Sequence, residues 1–333
     1  MTFEKWLVNE LPTGEKAQKG LAKSIMGLSD IFKSSNPTPW GDPSFQQAYT
    51  LYYMPLNLLR FQKLLSRLDP LGFLDGIDTV IDIGSGPGTF GFSLQSLPKL
   101  SKYICYELDN TAIELQKKLI PRLGPTLATS WVQSESDLEP LIGGTSTLVV
   151  FSYSLNEFKQ IPTWLEKCQN LLIIEPSTHQ NSRKLIEVRQ RLIDSKLQYV
   201  WAPCTHQKAC PLLKNSKTDF CHDRVNVELP KIWIESIEKH LPIKNRSLTM
   251  SYLATSKVAP KNKYFGRITG DPQKQKGKTI QMFCRGEEKE FLSWLKKSPN
   301  FQDISRGDLV VREFDFFEKS NELRPQSKIE TLD

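Results

Sequence analysis

A chain of 333 residues that is 39% apolar and 24% charged has the make-up of an ordinary soluble globular protein, long enough for one large α/β domain with additions or for two domains. Its 44 Lys and Arg against 37 Asp and Glu leave a net charge of +7, compatible with an anionic partner but too small to establish one. No apolar run approaches the roughly 20 residues of a membrane span, which argues against a membrane role. The first ten residues carry Glu4 and Glu10 among few basic residues. They match neither a secretory signal nor an Arg-rich transit peptide, so the cytoplasm is the expected location. In that setting the six cysteines are expected as metal ligands or core residues rather than disulfides.

Residues 1–75 read as a helical N-terminal region. Helices are expected over 15–33 and 44–68, separated by the Pro/Ser breaker Ser34-Ser35-Asn36-Pro37-Thr38-Pro39. Pro55 should kink or restart the second of them. Its leucines from Leu56 to Leu68 fall at helical spacing, and the cluster Tyr49, Tyr52 and Tyr53 either packs as core or closes over a ligand.

From residue 79 the pattern alternates strand and helix as a doubly wound sheet does. Strands are expected at 79–83, 103–106, 128–133, 147–151 and 171–174. The first runs into Asp82-Ile83-Gly84-Ser85-Gly86-Pro87-Gly88-Thr89 and then a helix to about Gln95. Such a turn leaves backbone N–H groups facing a crevice at the strand's carboxyl end, where open α/β sheets bind nucleotide-like ligands. Gly86, Gly88 and Gly91 also satisfy the dinucleotide spacing G-x-G-x-x-G. That register leaves Asp82 and Gly84 without a role, whereas D-x-G-x-G-x-G is the pattern of an S-adenosylmethionine (SAM) site. Asp82, Gly84, Ser85, Gly86 and Gly88 are therefore the candidate cofactor residues, with the acid orienting the methionine end. Glu107 ends the second strand about 20 residues past the loop, placed for ribose hydroxyls. Asp109 reads as the next helix's N-cap. Asp137, after the third strand, is the candidate near the adenine.

The loop after the fourth strand, Ser152-Tyr153-Ser154-Leu155-Asn156-Glu157-Phe158, is where a methyl acceptor would be handled. It holds neither an Asn/Asp-Pro-Pro-aromatic motif for an exocyclic amine nor a Pro-Cys pair for carbon-5 of a pyrimidine. Asn156 and Glu157 are its polar candidates, and one helix cap would also account for both.

An insertion at 201–225 contains Cys204, His206, Cys210, Cys221 and His222 in a Pro-broken, polar stretch. Cysteines that flank turns in this way suit a metal ion or cluster. The fourth ligand is His206 or His222, giving a Cys-His zinc site, or Cys284, giving four thiolates for zinc or a 4Fe–4S cluster. Cys105 sits in the apolar stretch Tyr103-Ile104-Cys105-Tyr106, and both it and Cys168 are assigned to core. Beyond a last strand at 246–255, residues 257–317 form a basic, β-rich extension. Lys257, Lys261, Lys263, Arg267, Lys274, Lys276 and Lys278, interleaved with Tyr264 and Phe265, are the candidate RNA contacts. A solvated hairpin loop is the other reading of the same charges. Residues 318–333 read as a polar, disordered tail, and no internal repeat is visible.

Several of these pieces together resemble one family, the methyltransferase-like assembly factors of the mitochondrial small ribosomal subunit, which has bacterial members. The resemblance covers about 49–308. It rests on 80–88, on Tyr153-Ser154-Leu155-Asn156-Glu157, on Glu175-Pro176, and on Ala202-Pro203-Cys204 continuing through Cys210-Pro211-Leu212 to Cys221-His222. Ser251-Tyr252-Leu253, the Gly277-Lys278 turn leading to Cys284, and Gly307-Asp308 also match. The resemblance implies a Rossmann-like class I SAM methyltransferase core with a seven-stranded, mostly parallel sheet over 76–256, and a small β-rich extension. It also implies a 4Fe–4S cluster on Cys204, Cys210, Cys221 and Cys284, and work on small-subunit rRNA. The chain would then act, as a monomer, in a bacterial cytoplasm, or in the mitochondrial matrix if eukaryotic. Two positions depart from the family: Ser177-Thr178-His179 stands where Gly-Thr-Pro is usual, and Arg306 replaces the tryptophan before Gly-Asp. Three functions follow as alternatives: an rRNA methyltransferase with a structural cluster, a non-catalytic factor that binds SAM and RNA, or a zinc-containing methyltransferase with another substrate.

Overall fold

Apolar runs separated by glycine-rich or polar turns produce the first strands close to where the sequence places them. The computed structural model describes residues 3–34, 36–94, 97, 99–123, 127–226, 231–242, 244–296 and 298–332. They fall into two compact units, one drawn from 1–66, 76–160 and 225–248, the other from 67–75, 161–224 and 249–333.

In the first unit, helix Glu15–Ser34 stops at the expected breaker. The second expected helix comes in three pieces. Pro43–Ala48 is capped by Asp42, whose carboxylate accepts from the Ser44 N–H at 2.8 Å. A π turn follows at Tyr49–Tyr53, and Met54–Leu68 completes it. Pro55 has no N–H to donate back along the helix, and the wider turn just before it absorbs that missing bond. Strands β1 (Thr79–Ile83), β2 (Lys102–Tyr106), β3 (Ala128–Val132) and β4 (Thr147–Ser152) are parallel in the order β3-β2-β1-β4. β1 and β4 are buried almost throughout, which is why both read as apolar runs rather than alternating ones. The turn after β1 opens the short helix Thr89–Ser93; Gln95, the expected end of that helix, lies outside the described residues.

The second unit holds β5 (Asn170–Glu175), β6 (Tyr199–Ala202) and most of β8 (Ser247–Ser256). β8 runs antiparallel to β5, from Asn170 opposite Ser256 to Glu175 opposite Ser251, and antiparallel to β6 with a bulge between Val200 and Ala202. A short β7 (Asp223–Asn226) adds a strand to the seven expected. Helix His179–Asp194 follows β5 and turns Leu185, Ile186, Val188, Arg189 and Leu192 inward.

The C-terminal strands are β9 (Gly266–Ile268), β10 (Gln273–Gln275), β11 (Lys278–Cys284), β12 (Glu290–Leu295), β13 (Leu309–Val310), β14 (Phe316–Lys319), β15 (Glu322–Pro325) and β16 (Thr331–Leu332). They form a second sheet in the order β14-β15-β12-β11-β9-β13-β16, with β10 on β11. Its core is Ile268, Phe283, Leu292, Trp294, Ile304, Val310, Phe314, Leu323 and Ile329. The expected disordered tail is thereby corrected. Each of its strands is short and polar, but Leu323 and Ile329 are almost wholly buried, and those two residues anchor the segment. Among the described residues no helix is long and apolar enough to cross a membrane.

Candidate cofactor site and thiol-lined cavity

The loop after β1 is built from glycines that no other residue could replace without strain. Gly84, Gly86 and Gly88 have φ of 64°, 52° and 78°, in the region closed to most side chains. Space is equally short: a Cβ on Gly84 would lie 2.7 Å from the Ser154 Cβ, and one on Gly88 would lie 2.3 Å from the Gln116 amide. The N–H of Gly84 donates to the Tyr106 carbonyl at 2.8 Å, and that of Gly86 to Glu107 Oε2 at 2.7 Å. Glu107 Oε1 accepts from the Asp109 N–H at 2.9 Å. Glu107 thus ties the glycine loop to the end of β2, and each oxygen keeps a further lone pair for a ligand hydroxyl. Asp109 caps the following helix through Thr111 N–H at 2.7 Å and Ala112 N–H at 3.1 Å.

Asp82 works from behind the loop. It is fully buried, and its two oxygens accept from Tyr103 Oη at 2.6 Å and Ser152 Oγ at 3.2 Å. It therefore fixes β1 against its neighbours and reaches a ligand only through the loop it holds. Burial pushes its pKa up to about 7, and the two hydrogen bonds only partly offset this. The folded chain binds that proton more tightly than the unfolded one. The group thus favours the fold most at pH values below its ordinary 3.8, and this contribution drains away as pH rises toward 7. Between pH 4 and 7, Asp82→Asn should lose a part of the stability slope worth on the order of a few kcal/mol. Denaturant midpoints of both proteins across that range would show it; parallel curves would contradict it.

Other residues of this region carry no sequence motif. The Trp40 ring lies 3.4 Å from where a Gly86 Cβ would stand, and packs edge-on against Tyr49 with ring centroids 5.0 Å apart. Tyr49 Oη hydrogen-bonds Thr89 Oγ1 at 2.9 Å. Of the tyrosine cluster, then, Tyr49 reaches the glycine turn. Tyr52 instead stacks on Trp233, and Tyr53 donates to the Ile25 carbonyl at 2.9 Å. Gln116 receives the Trp131 indole N–H at 2.8 Å and donates to Cys105 Sγ at 3.0 Å. Asp137 is exposed and accepts from Ser134 Oγ at 2.6 Å. After β4, Tyr153 adopts φ of 66°, a costly conformation for a bulky residue. Asn156 and Glu157 are both exposed. Protein crowded around the Glu157 carboxyl still lifts its pKa to about 7, with the Glu107 charge adding to the effect.

In the second unit, Cys204, Cys210, Cys221 and Cys284 line one cavity of about 50 Å³. Arg183 shapes its loop by donating to the carbonyls of Ser216 at 3.0 Å and Asp219 at 3.1 Å, and Ser251 Oγ holds the Cys221 carbonyl at 2.8 Å. Burial, reinforced by the charges of the other three sulfurs, holds the Cys284 thiol well above its usual range. Burial also raises Cys210 and Cys221. Two guanidinium groups face the sulfurs: Arg189 Nε donates to Cys204 Sγ at 3.1 Å, and Arg267 Nη1 to Cys221 Sγ at 3.6 Å. His206 Nε2 lies 3.5 Å from Cys284 Sγ, and His222 Nδ1 lies 3.3 Å from Arg306. Burial pushes both imidazoles down to about 4, so they are neutral at ordinary pH. Among the described residues no set of three or more His, Cys, Asp or Glu is gathered tightly enough to hold a metal ion. Cys105 and Cys168 are both fully buried.

The seven basic candidates separate. Lys257, Lys261, Lys263, Lys274 and Lys276 are exposed, and Lys257 donates to the Lys167 carbonyl at 3.0 Å. Lys278 is paired with Glu322. Arg267 is only 2% exposed and is paired with Asp223. It is not a surface contact for any partner, and that expectation is corrected.

The chain is similar to several solved structures at low identity. A SAM-dependent methyltransferase from Aquifex aeolicus is 15% identical, with 68% of this chain and 97% of that one covered and a TM-score of 0.36. Magnesium protoporphyrin IX methyltransferase from Synechocystis PCC 6803, with bound SAH, is 10% identical over 60% and 83%, with a TM-score of 0.36. TYW2 from M. jannaschii, in complex with AdoMet, is 11% identical over 59% and 77%, with a TM-score of 0.33. Likenesses this distant say nothing about the site. A search of the curated proteins found no match. The parallel β3-β2-β1-β4 set and the antiparallel β8 make this an α/β fold with a mixed sheet of the class I SAM methyltransferase kind. The model of one family, Rsm22, described as mitochondrial small ribosomal subunit Rsm22, matches residues 47–298, well over half of the chain. This chain belongs to the Rsm22 family.

Proposed function

We propose that this chain binds SAM at the loop after β1 and methylates small-subunit rRNA during ribosome assembly. The family description supports the ribosomal part. The cofactor part is carried by the three left-handed glycines and their tie to Glu107. In this reading Gly84, Ser85, Gly86 and Gly88 take the methionine end, and Asp82 holds them from behind. Glu107 receives ribose hydroxyls, while Asp137 and the exposed Leu108 (63%) lie toward the adenine. Asn156 and Glu157 face the acceptor, and Lys257, Lys261, Lys263, Lys274 and Lys276 neutralise phosphates. The chain works as a monomer wherever the subunit is assembled, in a bacterial cytoplasm or a mitochondrial matrix. Incubation with labelled SAM and immature small subunits tests this, and label in the rRNA is the expected result. SAM binding and rRNA binding without any label transfer would favour a non-catalytic assembly factor. The plain Ser-Tyr-Ser-Leu-Asn-Glu loop after β4, with no acceptor motif, is what favours that second reading.

Cys204, Cys210, Cys221 and Cys284 are proposed to carry a 4Fe–4S cluster, with zinc as the alternative. The donor set fits, since four thiolates are the usual ligands of such a cluster. When bound, the cluster supplies a structural link between 204–221 and β11. Protein purified without oxygen should be coloured and contain iron and sulfide. Cys284→Ser should lose both, whereas Cys168→Ser should keep them. A colourless protein holding one zinc would refute the cluster.

A further inference from the structure

We propose that Arg189 and Arg267 are positioning residues for an anionic, sulfur-ligated centre in the thiol-lined cavity, donating N–H bonds both to its thiolates and to inorganic sulfide. The inference rests on the cluster reading above and adds to it the groups that balance its charge. Each arginine is 2% exposed, and arginine is almost never so buried without a counter-charge. Arg267 shares the Asp223 carboxylate with Arg67, whereas among the described residues Arg189 faces only Cys204 and the His206 carbonyl.

Arg189 comes from the inward face of helix His179–Asp194. Its Nε donates to Cys204 Sγ at 3.1 Å and its Nη2 to the His206 carbonyl at 2.8 Å. Its Nη1 is buried and has no hydrogen-bond partner among the described residues. Arg267 comes from β9, with Nη1 at 3.6 Å from Cys221 Sγ and the Asp223 carboxylate beside it. Its Nε is likewise buried without a hydrogen-bond partner among the described residues. Both side chains line the cavity.

Four thiolates around a dicationic core leave a net charge of −2. Water would ordinarily screen that charge, but this cavity is walled mainly by apolar groups, so nearby cations matter more. The two arginines supply them. Unsatisfied donors in a buried wall call for acceptors, and two remain after the thiols have taken their share. The bridging sulfides of a cluster add acceptors beyond the thiolates, whereas a zinc site offers only the thiolates' own remaining lone pairs. Hydrogen bonds to the sulfurs also help to set a cluster's reduction potential. Adding an electron makes the centre more negative, and neighbouring guanidinium groups favour that state.

The test uses full-length holoprotein purified without oxygen, as the parent and as Arg189→Met and Arg189→Lys. Arg189 is the better probe because Arg267 also neutralises Asp223, so its loss would disturb folding. Arg189→Met should keep the parent's circular dichroism, release iron to a chelator about tenfold faster, and shift to a more negative reduction potential. Arg189→Lys, which restores the charge without the fork, should recover much of the potential and less of the iron retention. A Met variant matching the parent in both potential and release rate would overturn the inference while leaving the cluster standing. Iron and sulfide in the parent are measured first, so failure of the cluster reading shows itself separately. If the parent holds zinc, the sulfide bonds are refuted, and faster zinc release from Arg189→Met would uphold the charge-balancing role alone. A parent that holds no metal, even after reconstitution with iron and sulfide, removes both.

Discussion

Replacing Asp223 with alanine should destabilise the protein by about 3–5 kcal/mol, the cost of stranding buried charges whose partner has been removed. Asp223 has no exposed surface. One oxygen receives Arg67 Nη1 at 2.9 Å and the other faces Arg267. Alanine would leave both guanidinium groups in a wall that water does not reach, and Arg267 would no longer be held beside Cys221. Asparagine keeps an acceptor but not the charge, so Asp223→Asn should fall between alanine and the parent. Urea unfolding of the three proteins measures the series. A loss below about 1 kcal/mol for alanine, the range of exposed ion pairs, would mean that solvent reaches the pair after all.

Gly91→Ala should cost nearly as much. A Cβ there would stand 2.4 Å from Tyr103 Cε1 and 2.7 Å from its Cζ. The ring cannot swing aside cheaply, because Tyr103 is 2% exposed and its hydroxyl is bonded to Asp82 at 2.6 Å. Overpacking costs about 1–3 kcal/mol, and losing a hydrogen bond to a buried carboxylate adds about 1.5–3. A loss of about 2–5 kcal/mol is expected by denaturant unfolding, with weaker SAM binding by calorimetry because Asp82 holds the strand that carries the loop. Gly20→Ala is the control. It meets nothing within 4 Å, and in the middle of a helix it should stabilise by about 0.5–1 kcal/mol.

The sequence located β1 to β5 well because buried parallel strands are apolar runs with turn residues at both ends. The glycine loop was equally readable, since positive φ leaves a mark in residue type. Arg267 was misread. It stands in a stretch of surface lysines, and counting charges cannot tell a solvated cation from one held by Asp223. Arg189 is hidden in the same way, in a helix that also carries Arg183, Lys184 and Arg191. A signal was there: Ser182, Leu185, Ile186 and Arg189 repeat at the spacing of one helix face, which puts the arginine on the apolar side. The tail from 318 was read from composition, whereas its order depends on two apolar residues among many polar ones. Trp40 near Gly86 was beyond reach, because that contact joins segments about 45 residues apart and neither carries a pattern that names the other.

The four thiols also set a timetable. Cys204, Cys210 and Cys221 come from one stretch, while Cys284 ends β11 and enters the cavity wall from a later strand. During synthesis the first three leave the ribosome about 60 residues ahead of the fourth, a delay of roughly 3–12 s at common elongation rates. Through that interval the newborn chain presents three thiols to oxygen and stray metals, with the fourth of the proposed set still missing. How quickly β11 follows should decide how much of each batch matures intact.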